Sequence, residues 1–156
     1  MRGHPVRPAA RPRQAAFTVL ELLFALAIVA VLAAIAMPAW QQHIERGRRQ
    51  EAKAALVAAM LELERHALAT ASYAAPDAPA TVAGQWPRAV PPPPAAARHM
   101  LLAAACPQAG IDRCVELHAV PMQADPRCGT LILRSTGEWL VQDGAAGPPQ
   151  PLPGDC

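Results

Sequence analysis

The chain has 156 residues, 53% of them hydrophobic, with 18 prolines, four cysteines and 14 Lys and Arg against 12 Asp and Glu. The formal +2 is uneven: residues 1–16 hold four arginines and no acid, so 10 basic and 12 acidic residues remain, or −2. That balance, with no basic stripe beyond residues 46–53, argues against nucleic acid as a partner, and the length alone suits a single soluble domain.

The basic start, Arg2, Arg7, Arg11 and Arg13, precedes an apolar run over 17–40. A basic tail beside an apolar span reads as cytoplasmic retention of the tail. As a helix those 24 residues measure about 36 Å, enough for a bilayer core. Trp40 lies at the far end, where an interfacial aromatic is favourable. The competing reading is a cleaved secretory signal, with Ala34-Ile35-Ala36 as an A-x-A site. Two features favour a retained helix. Glu21 interrupts the start of the apolar run, and the helical pattern continues past Pro38. A carboxylate in lipid is costly and usually has a partner. Here the candidate is a free amine created by cleavage just before Phe17. Pro38 removes a backbone donor, which predicts either a kink with local melting near 34–38 or the end of the span.

Residues 41–72 read as an amphipathic helix. Ile44, Ala52, Ala55, Leu56, Ala59, Met60, Leu63 and Ala67 recur at steps of three and four and form the stripe that a sheet would cover. Glu45–Arg49 and Glu62–His66 are expected i,i+4 pairs. Arg46, Arg48 and Arg49 could face lipid phosphates, acidic neighbours or simply water. Residues 73–99 are rich in Pro and Ala, which excludes a regular helix and reads as a connecting loop.

Strand candidates follow at 100–105, at 115–119, at 130–134 and at 138–141 after a turn at Gly137. They predict an antiparallel meander of three or four strands within 100–156. His118 falls on the side away from the apolar residues, as an exposed histidine. The tail from Asp143 lacks a pattern of its own. Cys106, Cys114, Cys128 and Cys156 all follow the apolar run. Two disulfides have three possible pairings; neighbour pairing, Cys106–Cys114 with Cys128–Cys156, is preferred because each closes a short or moderate loop. No C-x-x-C is present, so no metal is expected. No phosphate loop, G-x-S-x-G or catalytic triad stands out, and neither an enzyme nor a cofactor is expected.

Ala16-Phe17-Thr18-Val19-Leu20-Glu21 resembles the N-terminal cleavage and methylation motif of type IV prepilins and related pseudopilins. Arg48-Arg49-Gln50-Glu51-Ala52 and the stretch from Asp125 through Cys128-Gly129-Thr130 to Leu133, with Cys156 near the end, are similar to segments of PilE-type minor pilins. The resemblance implies an α+β, pilin-like fold: a long N-terminal helix packed on a small antiparallel β-sheet. It implies cleavage between Ala16 and Phe17 by a prepilin peptidase, N-methylation of Phe17, and pairing of Glu21 with the Phe17 amine of an adjacent subunit. Ala16 stands where glycine is usual, which points to slower processing. Thr18, Glu21 and Pro38 match the family spacing. Cys128 and Cys156 match the pair that encloses the C-terminal region in such relatives. The partners implied are other pilin subunits, the peptidase and the inner-membrane assembly machinery. The implied course runs from a single-pass inner-membrane protein, with its C-terminal domain in the periplasm, to an extracellular pilus used in adhesion and twitching motility. A type II secretion pseudopilin and a DNA-binding pilin for uptake are the alternatives.

Overall fold

The computed structural model describes residues 18–144 and 147–156. It is an α+β chain whose first element is one long helix, α1, Val19–Thr70, of 52 residues. Thr18 starts it: its Oγ1 accepts a hydrogen bond from the Glu21 amide at 3.2 Å, while its carbonyl accepts the Leu22 amide. Thr18 thus satisfies one of the orphan first-turn donors. The helix runs through Pro38 without interruption, so the proline does not end it. At the far end Ala71 adopts a positive φ of 59° and donates its amide to the Ala67 carbonyl, a left-handed cap that stops the helix.

The described residues divide into two units, one ending at Gln41 and the other Gln42–Cys156. In the first, every large apolar side chain from Val19 to Met37 is more than half exposed. Among the described residues α1 is the one helix long and apolar enough to cross a bilayer.

In the second unit, Ala52, Leu56, Ala59, Met60 and Leu63 of α1 are buried in the core. Leu56 and Leu63 fill this core beside the small Ala52 and Ala59. Each buried leucine stabilises by about 1.5–3 kcal/mol. Ile44, at the edge of the expected stripe, is instead 37% exposed.

Residues 73–99, expected as a connecting loop, carry β1 Ala74–Ala75, β2 Ala78–Val82, β3 Arg88–Val90 and the first residue of β4. β1 and β2 form a separate antiparallel pair. The following strands are β4 His99–Ala105, β5 Val115–Pro121, β6 Thr130–Arg134, β7 Trp139–Gln142 and β8 Gln150–Pro151. With β3 they make one antiparallel sheet in the order β3-β4-β5-β6-β7-β8. Six strands replace the three or four expected. The two edge strands escape sequence patterning because each is very short and lies in Pro-rich sequence, where alternation has no room to show.

Register puts Leu101 beside Ala119, Ala103 beside Leu117, Leu117 beside Leu133 and Leu131 beside Val141. These residues line the face that meets α1. The opposite face holds His118, half-buried rather than exposed, because its ring bonds to Glu116 at 2.9 Å. Glu116 is itself buried and also accepts from Arg134 Nε at 3.0 Å.

Candidate functional site

The residues expected to act in processing, Ala16 and Phe17, lie outside the described residues. Thr18 and Glu21 share the first turn of α1, where the capping geometry above places Glu21 three residues after the cap. A carboxylate there is favoured by the partial positive charge of the helix start. Thr18 is thus more than a match in family spacing, since Thr-x-x-Glu before an apolar run is also a capping-box signal. Pro38 lies within the same helix, distant in sequence from Glu21.

Both disulfides of the preferred pairing are present, Cys106–Cys114 and Cys128–Cys156. The first closes the turn between β4 and β5. The second ties the tail to the start of β6. Gly129, next to Cys128, has φ +55°, and a Cβ there would meet the Gln142 carbonyl oxygen at 2.2 Å. Only glycine fits that position.

The β5–β6 loop is pinned to α1 by Arg49 and Asp125. Arg49 donates from Nε to one carboxylate oxygen at 2.6 Å and from a terminal nitrogen to the other at 2.8 Å. Both side chains are only 8% exposed. Asp125 also accepts the amides of Arg127 and Cys128, which sets the turn leading into the disulfide. Burial opposes ionisation of Asp125, but the bonds from Arg49 and the two amides outweigh it and hold the carboxyl below its usual range. The same hydrogen bond raises the Arg49 guanidinium. The expected Glu45–Arg49 pair is therefore replaced: Glu45 accepts from Arg48 at 3.0 Å, one residue away. Glu62 likewise pairs with Arg88 instead of His66, whose ring bonds to the Ala74 carbonyl. Tertiary partners outcompete helix neighbours worth a few tenths of a kcal/mol.

Beside this clamp lies a cavity of about 390 Å³, lined in part by Arg48, Arg49, Arg98, His99 and Asp125. His99 is 5% exposed, and its Nδ1 makes no hydrogen bond among the described residues. Burial pushes its imidazole below the usual histidine range, against the pull of Asp125 and Glu51. The arginines at this cavity are matched by acids, Arg98 by Glu51 and Arg48 by Glu45.

On the other side of Arg49, a groove of about 290 Å³ runs between α1 and the tail, lined by Arg46, Gln50, Lys53 and residues 154–156. Arg46 is exposed and has no ion pair among the described residues. The Lys53 ammonium lies 6.0 Å from the centroid of the Trp139 ring. Arg127 reaches the rim through a 3.3 Å bridge to Asp155, both half-exposed. No three metal-ligating side chains cluster among the described residues.

Two family matches cover most of the chain. Residues 11–37 match the prokaryotic N-terminal methylation motif. Residues 38–132, more than half of the chain, match the family described as type IV minor pilin ComP, DNA uptake sequence receptor. No curated protein and no solved structure matches the chain.

Proposed function

The chain belongs to the ComP family of type IV minor pilins, and from that premise we propose that it is a pilus subunit that captures DNA. The match over 38–132 to a family described as a DNA uptake sequence receptor carries this reading. It weighs against the expectation, drawn from a net −2, that nucleic acid is not a partner. Net charge averages over the surface, whereas phosphate binding depends on where unpaired cations sit.

Assembly follows from the other end of the chain. The prepilin peptidase cuts between Ala16 and Phe17, and Phe17 is then N-methylated. The apolar half of α1 waits in the inner membrane with the C-terminal domain in the periplasm. The subunit then enters the fibre beside other pilins. Glu21, first-turn carboxylate of α1, pairs with the Phe17 amine of a neighbour, an attraction strengthened where the dielectric is low. An unpaired Glu21 in that setting is destabilising, so the pairing selects one register. The subunit does its work by binding and assembly and performs no catalysis. The match to a minor pilin favours the pilus over a secretion pseudopilus.

DNA capture is tested with the full chain in neutral detergent micelles, by fluorescence anisotropy of labelled duplex DNA. Binding at 50 mM salt that weakens steeply by 200 mM is the expected result; no binding at 50 mM overturns the reading. Assembly is tested separately. Glu21→Ala should insert in the membrane normally yet be missing from sheared fibres, and normal incorporation contradicts the role given to Glu21.

A further inference from the structure

We propose that the groove between α1 and the C-terminal tail, walled by Arg46, Gln50 and Lys53 and flanked by Arg127, receives the phosphodiester backbone of DNA. This rests on the DNA-capture reading and names the surface that performs it.

The cations of the folded unit divide into two kinds. Most guanidinium groups are committed to carboxylates. Arg49 is held by Asp125, Arg134 by Glu116 and Glu138, Arg88 by Glu62 and Arg98 by Glu51. The groove gathers three of the less committed cations, while Arg65 is another exposed one elsewhere on α1. Arg46 is exposed without an ion pair among the described residues. Lys53 has an aromatic neighbour and no carboxylate partner among them. Arg127 is tied only to Asp155, across a half-exposed 3.3 Å bridge. A bridge of that kind contributes at most about 1 kcal/mol, so an incoming phosphate can take the guanidinium from it.

Helical spacing aligns these groups. Positions 46, 50 and 53 fall on one face of α1, since steps of four and three return to the same side. Arg46 and Lys53 are then separated by about 10 Å along the helix axis at 1.5 Å per residue. A row of two cations with an amide between them suits a linear polyanion better than a compact ion. Three cations stand against one side-chain carboxylate, Asp155, in a chain whose residues after 16 carry −2. The neighbouring cavity at His99 differs, because there each arginine has its own acid. Arg65, also exposed, lies on a different side of α1 and serves as the control.

The groove offers cations and an amide, so it predicts contacts to phosphates that position the duplex. Lipid headgroups carry the same phosphate chemistry, but Lys53 and Arg127 belong to the folded unit with the tail, which favours the nucleic acid.

The test uses the full chain in neutral micelles with labelled duplex DNA. Arg46→Ala/Lys53→Ala should weaken binding about tenfold or more and lower the salt slope by about two, one for each phosphate that is no longer neutralised. Arg127→Ala should act in the same direction, and Arg46→Lys/Lys53→Arg should retain affinity. Arg65→Ala should match the wild type. Thermal melting of each variant checks that the fold is kept. If the wild type binds and the double variant binds equally, or Arg65→Ala costs as much, the groove is wrong and DNA capture stands. If the wild type does not bind, DNA capture fails and the groove with it. If the double variant loses binding to phosphatidylglycerol vesicles but keeps DNA affinity, the groove serves lipid and the proposal is overturned.

Discussion

Both halves of α1 are rich in Ala and Leu, but residues 41–70 carry nine Asp, Glu, Lys and Arg and residues 19–40 only Glu21, and one half is covered where the other is not. From 42 onward the helix buries Ala52, Leu56, Ala59 and Leu63 on the sheet. Before residue 38 its large apolar side chains are all exposed. The difference lies in charge and in its pattern. The second half alternates apolar and charged faces, so one side can be covered by protein. The first is apolar all round, which a single sheet face cannot satisfy. Its partner must surround it, as lipid or neighbouring helices do.

Breaking the second half should leave the first untouched, and the largest effect should come from the clamp. Arg49→Ala strands Asp125 as a buried, unpaired carboxylate, and such losses cost about 3–5 kcal/mol. Chemical denaturation followed by Trp fluorescence should show that loss, while membrane extraction of the chain is unchanged. Removing the 128–156 link comes next. A loop of that size contributes about 3–4 kcal/mol by the chain-entropy relation, against about 2.6 kcal/mol for 106–114. Cys128→Ser/Cys156→Ser should therefore lower the denaturation midpoint more than Cys106→Ser/Cys114→Ser; the reverse order would show that the tail adds little to the folded unit.

A smaller effect tests the first half alone. Thr18→Ala removes the oxygen that accepts the Glu21 amide, a loss of about 1 kcal/mol in the usual case. Faster hydrogen exchange at the Glu21 and Leu22 amides in micelles should result, with no change in the melting of the 42–156 unit. Unchanged exchange would mean that Thr18 does not hold the helix start.

The sequence makes some of this architecture legible and hides the rest for physical reasons. The apolar run, the stripe on α1, the strand at 130–134 and the cysteine pairing can be read because each is local or has a strict period. The Arg49–Asp125 clamp spans 76 positions, and nothing in the spacing of a lone arginine and a lone aspartate announces that they meet. The same applies to Glu116: one acidic residue in an alternating strand looks like solvent-facing charge, and its burial depends on Arg134 and His118 arriving from the same sheet face. The basic groove escapes a reading of net charge because the sum conceals which cations are already paired. A census of cations without an acid at i±3 or i±4 is the signal that comes nearest, although it would have paired Arg49 with Glu45.

The smallest effect concerns His99, which packs beside the second half of α1. Its imidazole is lowered by burial, with Asp125, Glu51 and Glu45 pulling upward and Arg48 adding to the lowering. In the unfolded chain it titrates near 6.5. Below that value the unfolded chain takes up a proton that the folded one refuses, so the unfolded state is favoured as pH falls. Stability from this group is complete above about 6.5 and declines until the lower folded value is passed. Asp125 acts in a separate window: its depressed carboxyl contributes above the unfolded carboxylate range near 4 and is lost only as pH drops through its folded value. Between pH 7 and 5, then, the wild type should lose about 1 kcal/mol or less, read from denaturant midpoints in micelles. His99→Gln keeps a polar side chain without the titration and should flatten that slope. An equal slope in the variant would assign it to other groups and leave His99 as a neutral packing residue. The apolar half of α1 gives a sharper contrast still, since partition of the chain into micelles should not change over the same pH range.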